Sequence, residues 1–130
     1  MDLTSRASGA FTIDKQESTP ADWEGGTMSH TRLAKTFRGE LAGSGVVESI
    51  MLRLDGDGPA AYVGLERIDC TLEHRSGTFL LLHSATALGS DQVASWTIVP
   101  GSGTGELGAI RGRLQILDQH AFVLDYELNG

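Results

Sequence analysis

Four ionisable residues are candidates for acid–base chemistry: Lys35, Glu48, Glu66 and His83. Each lies in a stretch where apolar and polar residues alternate, the pattern of a half-buried strand. If they share one apolar interior, Lys35 neutralises Glu48 as an ion pair. Glu66, beside a second carboxylate, is pushed toward its protonated form, and His83 exchanges a proton with it near neutral pH. Such a set suits isomerisation or cyclisation without a cofactor: a carboxylic acid protonates an epoxide or carbonyl while apolar walls hold the substrate folded. Glu66 and His83 are then the acid and base. Phe37, Tyr62, Trp96 and Tyr126 are the aromatic candidates for lining ligand space. The plainer alternative is a satisfied polar network that holds the core closed, because structural ion pairs perturb pKa values as active sites do.

The elements that must position these residues are strands. Alternating segments run over Ala7–Lys15, Thr31–Leu41, Ser44–Asp55, Ala60–His74, Thr78–Ala87, Val93–Val99, Arg113–Asp118 and Ala121–Leu128. Short Gly-containing turns separate most of them, and no window sustains a helical period. Eight sequential strands predict an all-β, antiparallel up-and-down barrel, whose closure removes exposed edges. A barrel of this size holds packed side chains or one small ligand. The polar stretch Gln16–Ser29 is predicted as a long loop, with Trp23 as a candidate lid over one mouth.

Hairpin pairing decides which residues face inward. With Ala42-Gly43 as the turn, Leu41 pairs with Ser44, Phe37 opposes Glu48 and Lys35 opposes Ile50. The inward face is then Leu33, Lys35, Phe37, Val46, Glu48, Ile50 and Leu52. Pairing Leu54 with Ala60 sets Glu48 against Glu66 and Leu52 against Tyr62. A turn at Ser76-Gly77 puts Phe79, Leu81 and His83 on the face of Glu66, Ile68 and Cys70. Phe122, Leu124 and Tyr126 complete the interior. A slip of one residue in any hairpin reverses a strand. Val47, Met51, Leu65, Leu80 and Leu82 are left outward, too apolar for an isolated wall, so a homo-oligomer is expected.

Composition narrows the partners. The 130 residues carry a net charge of −7, which repels phosphate backbones and argues against nucleic acid. No apolar run approaches the roughly 18 residues of a membrane span, and the first ten residues lack a signal peptide's apolar stretch. A soluble cytoplasmic protein is expected. Glycine numbers 17, about twice the usual share, as befits many turns. Cys70 stands alone, which excludes an internal disulfide. It is predicted inward and inert.

Several stretches resemble a bacterial family of unknown function, the domain-of-unknown-function family numbered 3224. They are Lys35-Thr-Phe-Arg-Gly39, Tyr62-Val-Gly-Leu-Glu-Arg67, Ser76-Gly-Thr-Phe-Leu-Leu-Leu-His-Ser84, Trp96-Thr-Ile-Val-Pro-Gly-Ser-Gly-Thr-Gly-Glu-Leu107 and Leu124-Asp-Tyr-Glu-Leu128. The run from Pro100 to Leu107 is the most specific. The resemblance covers nearly the whole chain and implies a barrel like that of allene oxide cyclase, a fold whose cyclases form trimers. It implies no activity.

Two motifs are set aside. Gly103-Thr-Gly-Glu-Leu-Gly108 fits a dinucleotide fingerprint but lacks the strand–helix–strand unit that would give it function. Asp55-Gly-Asp-Gly-Pro59 begins like a calcium loop, with Glu66 at its twelfth position, but proline occupies position 5 and alanine the glycine position 6. His30, His74 and His120 are expected in solvent, and no histidines stand at metal-ligand spacing. No metal or cofactor is expected. The expected partner is a small apolar ligand in the lumen. The competing function is a non-catalytic oligomeric scaffold.

Overall fold

The computed structural model describes residues 4–21, 24–55, 60–88 and 91–128. Eight strands follow one another: β1 (Ser5–Pro20), β2 (Gly26–Gly39), β3 (Leu41–Leu54), β4 (Ala60–Leu72), β5 (Arg75–Leu88), β6 (Asp91–Ile98), β7 (Arg111–Ile116) and β8 (Ala121–Glu127). Each pairs antiparallel with its chain neighbour, and β1 meets β8, so the sheet closes into a barrel. No helix among the described residues is long and apolar enough to cross a membrane.

The predicted loop at Gln16–Ser29 is largely strand. β1 and β2 remain paired out to Pro20 opposite Ser29, and a register shift between Ile13 and Lys15 absorbs one extra residue. A polar hairpin arm can keep its ladder while both faces meet water, which removes the apolar alternation that marks a strand. Trp23, the candidate lid, lies outside the described residues.

The β2–β3 turn sits at Gly39-Glu40, not at Ala42-Gly43. Phe37 therefore faces Gly43, and Arg32 faces Glu48. Gly39 takes φ +117°, open to glycine alone at low cost. Gly43 instead serves close approach: a Cβ there would stand 2.1 Å from the Asp69 carbonyl oxygen. This reverses β3. Gly45, Val47 and Ser49 are buried, while Glu48 and Ile50 are exposed. Leu52, expected inward, is partly covered on the outer side. The next turn is also displaced by one, with Arg53 rather than Leu54 opposite Ala60. The two displacements cancel, so Tyr62, Glu66, Ile68 and Cys70 face inward as predicted. The β4–β5 turn is Glu73-His74, both at positive φ, three residues before the predicted Gly77.

The core fills one half of the barrel. Ala7, Phe11, Phe37, Leu41, Ile68, Leu72, Phe79, Leu81, Ile98, Leu114, Phe122 and Leu124 form a single cluster. Phe37 packs edge-on against Phe122 with centroids 5.7 Å apart.

The glycine-rich run after β6 completes this half. β6 is short, so the part of β5 nearest the Glu73-His74 turn is paired with β4 on one edge and has no partner strand on the other. Side chains take that strand's place. Ser102 Oγ, Thr104 Oγ1 and Glu106 Oε1 accept the backbone N–H groups of Leu80, Thr78 and Ser76. Alternate residues of one segment thus satisfy alternate donors of the other, and Leu107 and Ile110 are buried beneath them. Gly77 permits the approach, since a Cβ there would stand 2.1 Å from the Thr104 carbonyl oxygen. The segment is an edge seal rather than a nucleotide loop.

Candidate active site

Lys35 on β2, Glu66 on β4 and His83 on β5 meet inside the barrel. Alternation on three strands sends each side chain inward, and all three are at most 6 % exposed. Both basic groups converge on one oxygen: His83 Nε2 lies 2.8 Å from Glu66 Oε1, and Lys35 Nζ donates to the same atom at 3.4 Å. Glu66 Oε2 is buried and has no hydrogen-bond partner. It sits against Gly45, where a Cβ would stand 2.4 Å from it. Lys35 Nζ also lies 4.6 Å from the Phe11 ring centroid, a cation–π contact that helps hold its charge out of water.

Above this cluster, Trp96 Nε1–H donates to the Tyr62 hydroxyl at 3.1 Å. Both rings meet His83 edge-on, with centroids 6.4 Å away. Burial pushes the Tyr62 phenol above its ordinary pKa, so it stays protonated at neutral pH. Beyond Tyr62 the barrel opens into a mouth of about 500 Å³, lined by Thr27, Ser29, Met51, Ala60, Ala85 and Ala87 among others. That volume lies in the range of small-molecule sites. The aromatic pair separates the mouth from the three ionisable groups.

Three expected site residues lie elsewhere. Glu48 is on the outer wall, 3.1 Å from Arg32, because β3 is reversed. Its expected pairing with Lys35 is taken by Glu66. Phe37 belongs to the packed half. Tyr126 is at the far end, where its hydroxyl donates to Glu73 in the β4–β5 turn. Desolvation, and then the Glu73 carboxylate, push its pKa up to about 12. Tyr62 and Tyr126 therefore do not share one space. Of the residues expected on the outer wall, Val47 is buried and Met51 lines the mouth, while Leu65 and Leu82 are 47 % and 41 % exposed.

Phe11 and Gly45 were not foreseen as site residues. The Gly43-Ser-Gly45 spacing inside an apolar strand was the available signal, since glycine there marks close approach. Cys70 is buried, and desolvation raises its pKa to about 11, so it is no nucleophile at neutral pH. No group of three metal-ligating side chains occurs among the described residues. His30, His74 and His120 are exposed as expected, although His120 stacks on Phe11 with centroids 4.7 Å apart.

Fold and site together define a closed eight-stranded antiparallel barrel with a buried lysine–glutamate–histidine cluster. The chain belongs to the DUF3224 family of proteins of unknown function, whose sequence profile matches residues 7–129. It is similar in structure to a DUF3224 protein of unknown function from Shewanella oneidensis MR-1, known from a crystal structure. The two share 25 % identity with a TM-score of 0.83, over 97 % of this chain and 98 % of the other. No functionally curated protein matches the chain.

Proposed function

We propose that the barrel binds a small apolar molecule above the Tyr62–Trp96 pair, and that Glu66 and His83 move a proton on it. The observation that carries this is the orphaned Glu66 Oε2. A buried carboxylate oxygen with no donor costs free energy, and native proteins keep such groups rarely. Here the other oxygen lies within hydrogen-bond distance of two groups while this one meets none. A purely structural network gains from satisfying both oxygens. A proton-transfer site gains from keeping one free.

The chemistry that fits is isomerisation or cyclisation of a small neutral carbonyl compound or epoxide. Lys35 balances the Glu66 charge, and the Glu66–His83 contact gives a path for one proton between acid and base. The substrate is neutral because desolvating a further charge costs several kcal/mol. No metal or cofactor enters this scheme.

Native mass spectrometry of freshly purified protein tests the binding. A co-purified small molecule that reports its mass and chemical class supports it. A ligand-free spectrum, together with no binding across a library of neutral carbonyl compounds, refutes it. Once a substrate is found, Glu66→Gln should abolish turnover, and unchanged turnover would remove Glu66 from the role.

A second reading rests on the outer wall. Ile50, Val63, Leu65 and Leu82 lie on adjacent strands β3–β5 and are each at least 40 % exposed. Such a patch suits self-association of a cytoplasmic scaffold. Light scattering should then report a defined oligomer, and a monomer at micromolar concentration would exclude it.

A further inference from the structure

The barrel wall is not equally sealed all round. β7 and β8 pair continuously from Arg111–Glu127 to Ile116–Phe122, and β5 and β6 from Leu81–Ile98 to Leu88–Asp91. Between them, β6 and β7 are joined at Thr97–Arg113 alone. Continuing that register would set Ser95 against Gln115, but the strands part there. The gap is a cleft of about 520 Å³.

The cleft has two chemically distinct layers. Ser95, Thr97 and Gln115 offer hydrogen-bonding side chains at its outer lip, beside Arg113 and Asp125. Trp96, Leu114 and Ile116 form its apolar inner wall. Trp96 belongs to both this cleft and the candidate site. Its indole N–H holds the Tyr62 hydroxyl, its ring meets His83, and His83 contacts Glu66. Trp96 therefore links the cleft to the proton-transfer pair.

We propose that the β6–β7 cleft admits and binds a small neutral carbonyl compound, its body against Trp96 and Leu114 and its oxygen toward the hydroxyls of the lip, before it passes to His83 and Glu66. This rests on the acid–base role of those two residues. The mouth at Tyr62 is then a space for the substrate's apolar end rather than its entrance. Displacing the Trp96 ring breaks its hydrogen bond to Tyr62 and uncovers the histidine.

Labelling by diethyl pyrocarbonate, a small neutral carbonyl electrophile, tests this at neutral pH. Peptide mass spectrometry reads His83 against the exposed His30, His74 and His120 in the same molecule. In Thr97→Cys/Arg113→Cys the disulfide crosses the one existing pair, as cross-strand geometry allows. Oxidation should lower His83 labelling about tenfold relative to the other histidines, and reduction should restore it, as expected of a gated route. Gln115→Trp, which fills the cleft without a crosslink, should act in the same direction. Trp96→Ala should raise labelling, and Ala87→Trp at the mouth should leave it unchanged. Equal labelling in the oxidised and reduced forms, or a loss caused by Ala87→Trp, overturns the proposal. If the cleft controls labelling but Glu66→Gln leaves turnover intact, the entrance stands and the acid–base role falls. The reverse pattern sinks the entrance alone.

Discussion

The Glu66 carboxylate rests on the bare backbone of Gly45, with Oε2 only 2.4 Å from where a Cβ would be. The same Cβ would stand 2.8 Å from the Phe37 ring. The carboxylate and the ring thus fill the space that a side chain at Gly45 would take. Gly45→Ala should push the carboxylate and ring apart and cost about 1–3 kcal/mol, the usual penalty of overpacking. Urea unfolding measures it, and an unchanged midpoint would show that the lumen has slack.

The Lys35–Glu66 contact at 3.4 Å makes a different prediction because both partners are buried. Removing one leaves the other's charge without compensation. Lys35→Met and Glu66→Gln should each cost about 3–5 kcal/mol. The double variant should cost less than their sum, with a coupling of roughly 1 kcal/mol or more. Additive losses in denaturant titrations would mean that the pair does not interact.

Glu48 provides the contrast. It reaches Arg32 at 3.1 Å, but both side chains are more than half exposed. Glu48→Ala should therefore change stability by less than about 1 kcal/mol, like other surface pairs. A loss as large as that from Glu66→Gln would argue that β3 faces the other way.

Tyr126 supplies a pH dependence. Its folded pKa is raised to about 12 from an ordinary value of 10.0. The folded state therefore holds the phenolic proton more tightly than the unfolded chain. That stabilisation is fully present below pH 10 and is lost as pH rises from about 10 toward 12. Cys70, raised to about 11 from 9.0, adds a loss that begins near pH 9. Tyr126→Phe should flatten the upper part of the decline and leave the Cys70 part. An identical alkaline profile for the two proteins would contradict the buried phenol–Glu73 contact.

Most of the architecture was legible because strand alternation and glycine turns are local signals. Eight strands and closure follow from them. Facing was harder, because it depends on where a turn falls to the residue. Gly43 reads as a turn residue but is a strand residue that lets β4 come close, and this puts Glu48 outside where the sequence predicts it inside. Glu66 and His83 face inward, as the alternation predicts, for two reasons. A second turn displacement restored the parity of β4, and the β4–β5 pairing has the parity that a turn at Ser76-Gly77 also gives. The β1–β2 arm was hidden because a strand wet on both faces has no apolar period. The Ser102, Thr104 and Glu106 seal was hidden because it joins segments far apart in sequence.

The seam between β1 and β8 bears on how the chain folds. Every other pairing joins strands adjacent in sequence and can form hairpin by hairpin. Ser5 opposite Tyr126 joins positions nearly the whole described chain apart. Its loop-closure cost is met only when the last strand docks. Lys35, Glu66 and His83 lie on β2, β4 and β5, inside the run of local hairpins. The ion cluster can therefore assemble before the circle closes, while water still reaches its charges. A chain that folds in this order buries a pair already made, rather than two bare ions.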